Sequence, residues 1–161
     1  MQQQMRLRPR DIWQDRDKET TLPTANSIVQ DMIAAMWLPS YARILAVGIE
    51  GFTDLAPASL TCCYAVNTIY FWDQPLNQLA AAHRALQSGG RFIVAFIEKE
   101  SGGSLPWTLS DFTFYQRATV KSFFEDAGFV DIEVQQRTEG VLNAKGQHAI
   151  RPFVIVSGQR L

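Results

Sequence analysis

Two buried-strand signals in this chain stand too close together for the fold they otherwise announce. Residues 43–47, "RILAV", place four apolar positions after an arginine, and Leu60–Val66, "LTCCYAV", is a nearly continuous apolar run. Such runs belong to strands buried on both faces of a parallel sheet. Between them lie Gly48-Ile49-Glu50-Gly51 and then "FTDLAPAS", with Pro57 inside it. A parallel crossover needs about a dozen residues at minimum. The interval 48–60 therefore admits one connection and no further strand–helix unit.

The rest of the chain alternates helix and strand signals. Over 24–37, Ile28, Val29, Met32, Ile33 and Met36 recur at helical spacing, with Thr24 or Asn26 as a cap and Pro39 as a stop. Asp73 is placed to cap a second helix, with Pro75 early in it. Leu76, Leu79, Ala80, His83 and Leu86 share its face, and Gly89 and Gly90 follow as its stop. "RFIVAFIE" reads as a buried strand. Thr119 is placed to open a helix lined by Val120, Phe123, Phe124 and Ala127 and ended by Gly128. "VDIEVQQ" and "RPFVIVSGQR" are strands close enough to pair antiparallel across a loop containing Gly140 and Gly146. The pattern predicts an α/β sheet of parallel strands with a C-terminal antiparallel pair and helices on both faces. It predicts a single domain over 24–161, preceded by an arm over 1–23 in which Arg6, Arg8 and Arg10 are expected to be solvated.

At 161 residues the chain is long enough for one domain with a sizeable core. A net charge of −1 gives no broad electrostatic reason to expect nucleic acid or an anionic membrane as a partner. No apolar run reaches the ~18 residues of a membrane span, and "MQQQMRLRPRD" lacks the apolar core of a signal peptide. A cytoplasmic setting is expected. Cys62 and Cys63 are adjacent, so a strand points them to opposite faces and makes them poor co-ligands. Neither a disulfide framework nor a metal site is expected.

From position 43 onward the order of signals resembles the class I S-adenosylmethionine-dependent methyltransferases, most closely the small-molecule branch related to ubiquinone and menaquinone biosynthesis. "LPSYARILAVG" is similar to that family's passage into its first strand. "YAVNTIYFWDQPLNQLAAAHRALQSGGRFIVAF" resembles its fourth strand, fourth helix and fifth strand. "LPWTLSDFTFYQRATVKSFFEDAGFVDIEV" resembles the following cap loop, helix and sixth strand, and "PFVIVSGQR" the seventh. The resemblance implies a truncated Rossmann-like methyltransferase sheet with S-adenosylmethionine as cofactor. It assigns cofactor contacts to Gly48, Glu50, Gly51, Val66 and Asn67. Asn67 and Tyr70 become the catalytic candidates. Thr68, Trp72, Trp107, Phe112, Phe114 and Tyr115 become the walls of a pocket for a small apolar molecule.

The departures from that family are as specific as the likeness. Ala46 stands where the family has an acid, Glu50 where it has its second glycine, and Phe52 where it has the third, unless Gly51 takes that role through a shifted loop. A carboxylate at Glu50 would repel the cofactor's own carboxylate. The second strand, whose terminal acid holds the cofactor ribose in the family, and the third strand have no counterpart in 48–60. Residues 43–47 are open to two registers, as the family's first strand or its third. The third-strand register leaves the fourth strand without its usual neighbour. Two functions follow. One is methyl transfer to a small molecule, which needs chiefly positioning from the protein. The other is a methyltransferase-like domain without catalysis, acting as a binding or dimerisation module. A homodimer through the exposed side of the shortened sheet is expected, because uncovered strand edges pair with further copies.

Overall fold

Alternation along the strands decides which helices each residue meets. The computed structural model describes residues 3–5, 23–102, 113–142 and 145–161. The elements in chain order are β1 (Gln3–Met5), α1 (Ala25–Ala35), β2 (Ile44–Ala46), β3 (Leu60–Val66), α2 (Pro75–Ala85), β4 (Leu86–Phe96), α3 (Lys99–Gly102), α4 (Arg117–Asp126), β5 (Val130–Leu142) and β6 (His148–Gln159). They build one sheet of order β1-β2-β3-β4-β6-β5. Strands β2, β3 and β4 run parallel, and β6 and β5 complete the sheet antiparallel. This is the α/β arrangement expected from pattern. Phe92 of β4 lies opposite Cys63 and packs on Phe124 and Phe129, under α4. The neighbouring pair Tyr64 and Ile93 points to the other face, where the side chain of Gln30 in α1 hydrogen-bonds Tyr64. Cys62 and Cys63 are fully buried. Burial pushes both thiols up, Cys62 to about 12, so neither supplies a thiolate at neutral pH.

Helix boundaries depart from the local signals where a distant residue supplies the cap. Thr24 caps α1 with Ser27 reciprocating, a capping box. α2 is capped at Gln74 rather than Asp73, with Pro75 at its first position. It ends at Ala85, ahead of the glycine pair, because Arg160 takes its terminal carbonyls. One guanidinium nitrogen donates to His83 O at 2.8 Å, Arg84 O at 2.9 Å and Leu86 O at 2.6 Å. α4 begins at Arg117, before Thr119. Glu98 accepts the Arg117 backbone N–H at 3.0 Å and pairs with its guanidinium. That guanidinium holds the Glu98 carboxyl below the usual carboxylate range.

Two further features shape the sheet's upper and outer margins. Gln3–Met5 pairs antiparallel with β2, Gln3 opposite Ala46 and Met5 opposite Ile44. This strand fills the outer edge of β2, the side left open by the sequence pattern, and satisfies backbone groups there. β2 itself lies directly beside β3, with Ile44 opposite Cys62, the adjacency required by the first-strand register. At the far side, β6 stays with β4 only as far as Val154, opposite Phe96. From Phe153 to His148 it continues with β5 alone, so the hairpin overhangs the sheet. Glu139, 4% exposed, accepts from Arg151 Nε at 2.9 Å and from Ala25 N–H at 2.7 Å. Gly140 N–H donates to Pro23 O at 2.7 Å. The hairpin and the start of α1 are thus tied together, with a carboxylate at the positive end of the helix.

Candidate functional site

Ligands of open α/β sheets bind outside the carboxyl ends of the strands. Here β2 and β3 deliver two loops to that position, side by side. In the first loop, Val47 N–H still donates to Tyr64 O at 2.8 Å, and Gly51 N–H closes a turn onto Gly48 O at 3.0 Å. Gly51 has φ 75, and a Cβ on it would run into the side-chain amide of Gln78. The Gln78 oxygen accepts Phe52 N–H at 2.6 Å. Phe52 turns its ring to Phe92, edge-on at 5.6 Å between centroids, and Glu50 is exposed on the turn. The repulsion expected of Glu50 is therefore weakened by solvent, and Phe52, partly buried, packs against the core. Gly51 is the position whose conformation the loop requires. Replacing Gly51 with Ala is expected to cost about 2 kcal/mol, from the left-handed backbone and the displaced Gln78 bond. Urea denaturation checks this; a loss below about 0.5 kcal/mol, the scale of an ordinary surface substitution, would contradict it.

The second loop starts at Val66, half-buried at the end of β3. Asn67 follows with φ 55, a left-handed conformation that Asn tolerates better than most residues. Its backbone N–H donates to Ala95 O at 2.9 Å. Tyr70, 4% exposed, donates its hydroxyl proton to Asn67 Oδ1 at 3.0 Å and accepts the Ile97 backbone N–H. Its ring packs on Phe114, 5.0 Å between centroids. Burial pushes the Tyr70 phenol well above its ordinary value, so it is a donor, not a phenolate base, at neutral pH. Thr68 Oγ1 is buried and has no hydrogen-bond partner among the described residues. Trp72 is buried and its indole N–H donates to Gly48 O at 3.2 Å, which pins the two loops to each other.

Of the residues assigned from sequence, Gly48, Gly51, Val66, Asn67, Thr68, Tyr70, Trp72 and Phe114 are gathered at or next to these two loops. Tyr115 instead leans on Phe123 of α4, edge-on at 5.6 Å. Trp107 and Phe112 lie outside the described residues. His83 sits edge-on to Phe129, and burial depresses its pKa, as suits a helix-face residue. Sequence reasoning missed Gln78, which stands on the less apolar side of α2 with nothing local to mark it, and the Ile97 backbone N–H. Among the described residues no group of three His, Cys, Asp or Glu could hold a metal ion, and no helix is long and apolar enough to cross a membrane.

A cofactor as large as a nucleoside needs more than these two loops. The unpaired Thr68 hydroxyl and the close Gly51 turn fit a polar group at this end of the crevice. Residues 47–59 join β2 to β3 without any strand or helix. They run along α2 instead, with Ala58 N–H on Arg84 O at 3.0 Å and Ser59 N–H on Ala85 O at 2.8 Å. No second parallel strand ending in a ribose-binding acid lies between β2 and β3.

No family model and no curated protein matches the chain. Solved structures do. One is an S-adenosylmethionine-dependent methyltransferase of Thermotoga maritima, described as a possible histamine N-methyltransferase. It is similar at TM-score 0.56 and 21% identity, over 68% of this chain and 60% of that one. Another is phosphoethanolamine N-methyltransferase 2 of Haemonchus contortus, bound to phosphomonomethylethanolamine and S-adenosylhomocysteine. The likeness there has TM-score 0.51 and 9% identity, over 83% of this chain and 41% of that one. The chain thus has a methyltransferase-like, Rossmann-like fold and spans less than two-thirds of these neighbours' length.

Proposed function

We propose that this methyltransferase-like fold binds S-adenosylmethionine at the carboxyl ends of β2 and β3 and transfers its methyl group to a small apolar acceptor, as in the small-molecule branch named above. The observation that carries the reading is the pairing of the Gly48–Gly51 turn with left-handed Asn67, locked by the Trp72–Gly48 hydrogen bond. On this reading the turn holds the methionine end of the cofactor. Asn67 and Tyr70 frame the reaction site, and Phe114 walls the acceptor. Chemistry in such a site comes from holding nucleophile, methyl and sulfur in line, so the rigidity of the loop matters more than a titrating group.

A second reading is a domain of the same fold that no longer catalyses and serves as a binding or dimerisation module. It is favoured by the internal use of the loop's polar groups, with Gln78 on Phe52 N–H and Trp72 on Gly48 O, and by the plain connection over 47–59. A second copy of this chain is its proposed partner, docking on the shortened side of the sheet, where the three-residue β1, in place of β2, is the edge strand. Direct titration of the full chain with S-adenosylmethionine and S-adenosylhomocysteine separates the two. Micromolar binding of both supports the first reading, and millimolar or weaker binding of both supports the second.

A further inference from the structure

Asn67 carries two polar atoms with different fates. Its Oδ1 accepts the Tyr70 hydroxyl at 3.0 Å, whereas its Nδ2 makes no hydrogen bond among the described residues. The Tyr70 oxygen is itself held by the Ile97 backbone N–H, from the strand end beyond β4, and its ring is wedged against Phe114. A phenol so placed offers its proton to Asn67 and has no freedom to follow the amide if it turns. The polarity of the amide is then fixed: oxygen toward Tyr70, NH2 on the other side. Next in sequence, Thr68 keeps a buried hydroxyl without a partner among the described residues. Of these two adjacent residues at the end of β3, Thr68 holds an unmet buried group, costly unless something completes it, and half-buried Asn67 offers a donor open to a ligand beside it.

We infer that Tyr70 is a positioning residue: it fixes the Asn67 amide with Nδ2 turned to the crevice, so that this end of the site selects a ligand group that accepts a hydrogen bond. The ligand half of the inference rests on the cofactor reading above, and the positioning half does not. Left-handed strain at Asn67 fits the same role, since strained backbone persists where the surrounding structure over-determines it. The Ile97, Tyr70 and Asn67 chain supplies that determination, from strand end to hydroxyl to amide.

Two variants of the full chain test this by NMR and calorimetry, with S-adenosylhomocysteine as the probe. In the 15N-labelled protein, the Asn67 side-chain NH2 pair, identified by its absence in Asn67→Asp, should be sharp and dispersed. In Tyr70→Phe it should broaden or move toward the positions of free amides. An unchanged Asn67 pair in Tyr70→Phe would overturn the positioning role, whatever binds. Asn67→Asp retains an acceptor for Tyr70 but replaces the outward donor with an oxygen. It should leave the melting temperature close to that of the parent and weaken S-adenosylhomocysteine at least about tenfold, the scale of losing one hydrogen bond and setting two acceptor oxygens against each other. Unchanged affinity would overturn the ligand half. If the parent chain does not bind the probe, the cofactor reading and the ligand half fall together, and the amide signals of Tyr70→Phe still decide the positioning half. Should Tyr70→Phe fail to fold, the amide pair is read in the parent alone, where averaged, undispersed NH2 signals would contradict a fixed amide.

Discussion

Replacing Glu139 with Ala is expected to destabilise the protein by about 3 kcal/mol, the low end of what breaking a buried ion pair costs. The carboxylate serves two partners at once. One oxygen faces the Arg151 guanidinium and the other the backbone N–H of Ala25. Removing it strands a guanidinium whose side chain is 23% exposed and leaves an N–H at the head of α1 without its acceptor. Partial solvent access to Arg151 is the reason for choosing the low end of the range. Glu139→Gln keeps an acceptor of the same length and should recover part of the loss. Urea denaturation of the three proteins at neutral pH measures the differences. A loss under about 1 kcal/mol for the alanine variant, within reach of a surface pair, would show that the hairpin is not held to α1 by this carboxylate.

The Phe92→Ala substitution should cost more, about 4 kcal/mol, the usual range for a large aromatic truncated in a core. Phe92 has no exposure and contacts Phe52, Phe124 and Phe129. It therefore links the β2 loop to α4. Beyond the cavity, the truncation frees Phe52 and with it the backbone N–H held by Gln78. Phe92→Leu refills much of the volume and should lose less than half as much. The same denaturation experiment distinguishes them, and equal losses for Ala and Leu would mean that ring contacts, not filled volume, dominate at this site.

Elements whose causes are local were legible in the sequence. Leu60–Val66 and the β4 core read as buried strands because apolar runs of that length have few other uses in a sheet of this kind. Thr24 or Asn26 read as the cap of α1 from residue type alone, and Thr24 serves because Ser27, three residues on, reciprocates. Boundaries set from afar were not. The start of α4 depends on Glu98, and the end of α2 on Arg160, each remote in sequence from the helix it caps. β1 has no strand pattern in "QQM"; it forms where β2 offers an unpaired edge. The candidate site divides in the same way. Gly51 and Asn67 were legible as cofactor contacts through the family resemblance, but the left-handed backbone of Asn67 was not. The outward turn of Glu50, the inward turn of Phe52 and the commitment of Trp72 to Gly48 follow from loop geometry that no spacing encodes. The glycine loop departs from the resembled family in letters more than in what its side chains obstruct. The loss between β2 and β3 is the deeper departure, because a whole half of the cofactor's usual contacts would have come from there.

A single titration addresses the central claim, that the two loops form a cofactor site. The 15N-labelled chain is followed as S-adenosylhomocysteine is added, and backbone amides are read residue by residue. Saturable shifts are expected at micromolar ligand, concentrated at Gly48, Gly51, Asn67 and Thr68. Spectra that stay unchanged to millimolar ligand, or shifts confined to residues away from the ends of β2 and β3, would contradict it.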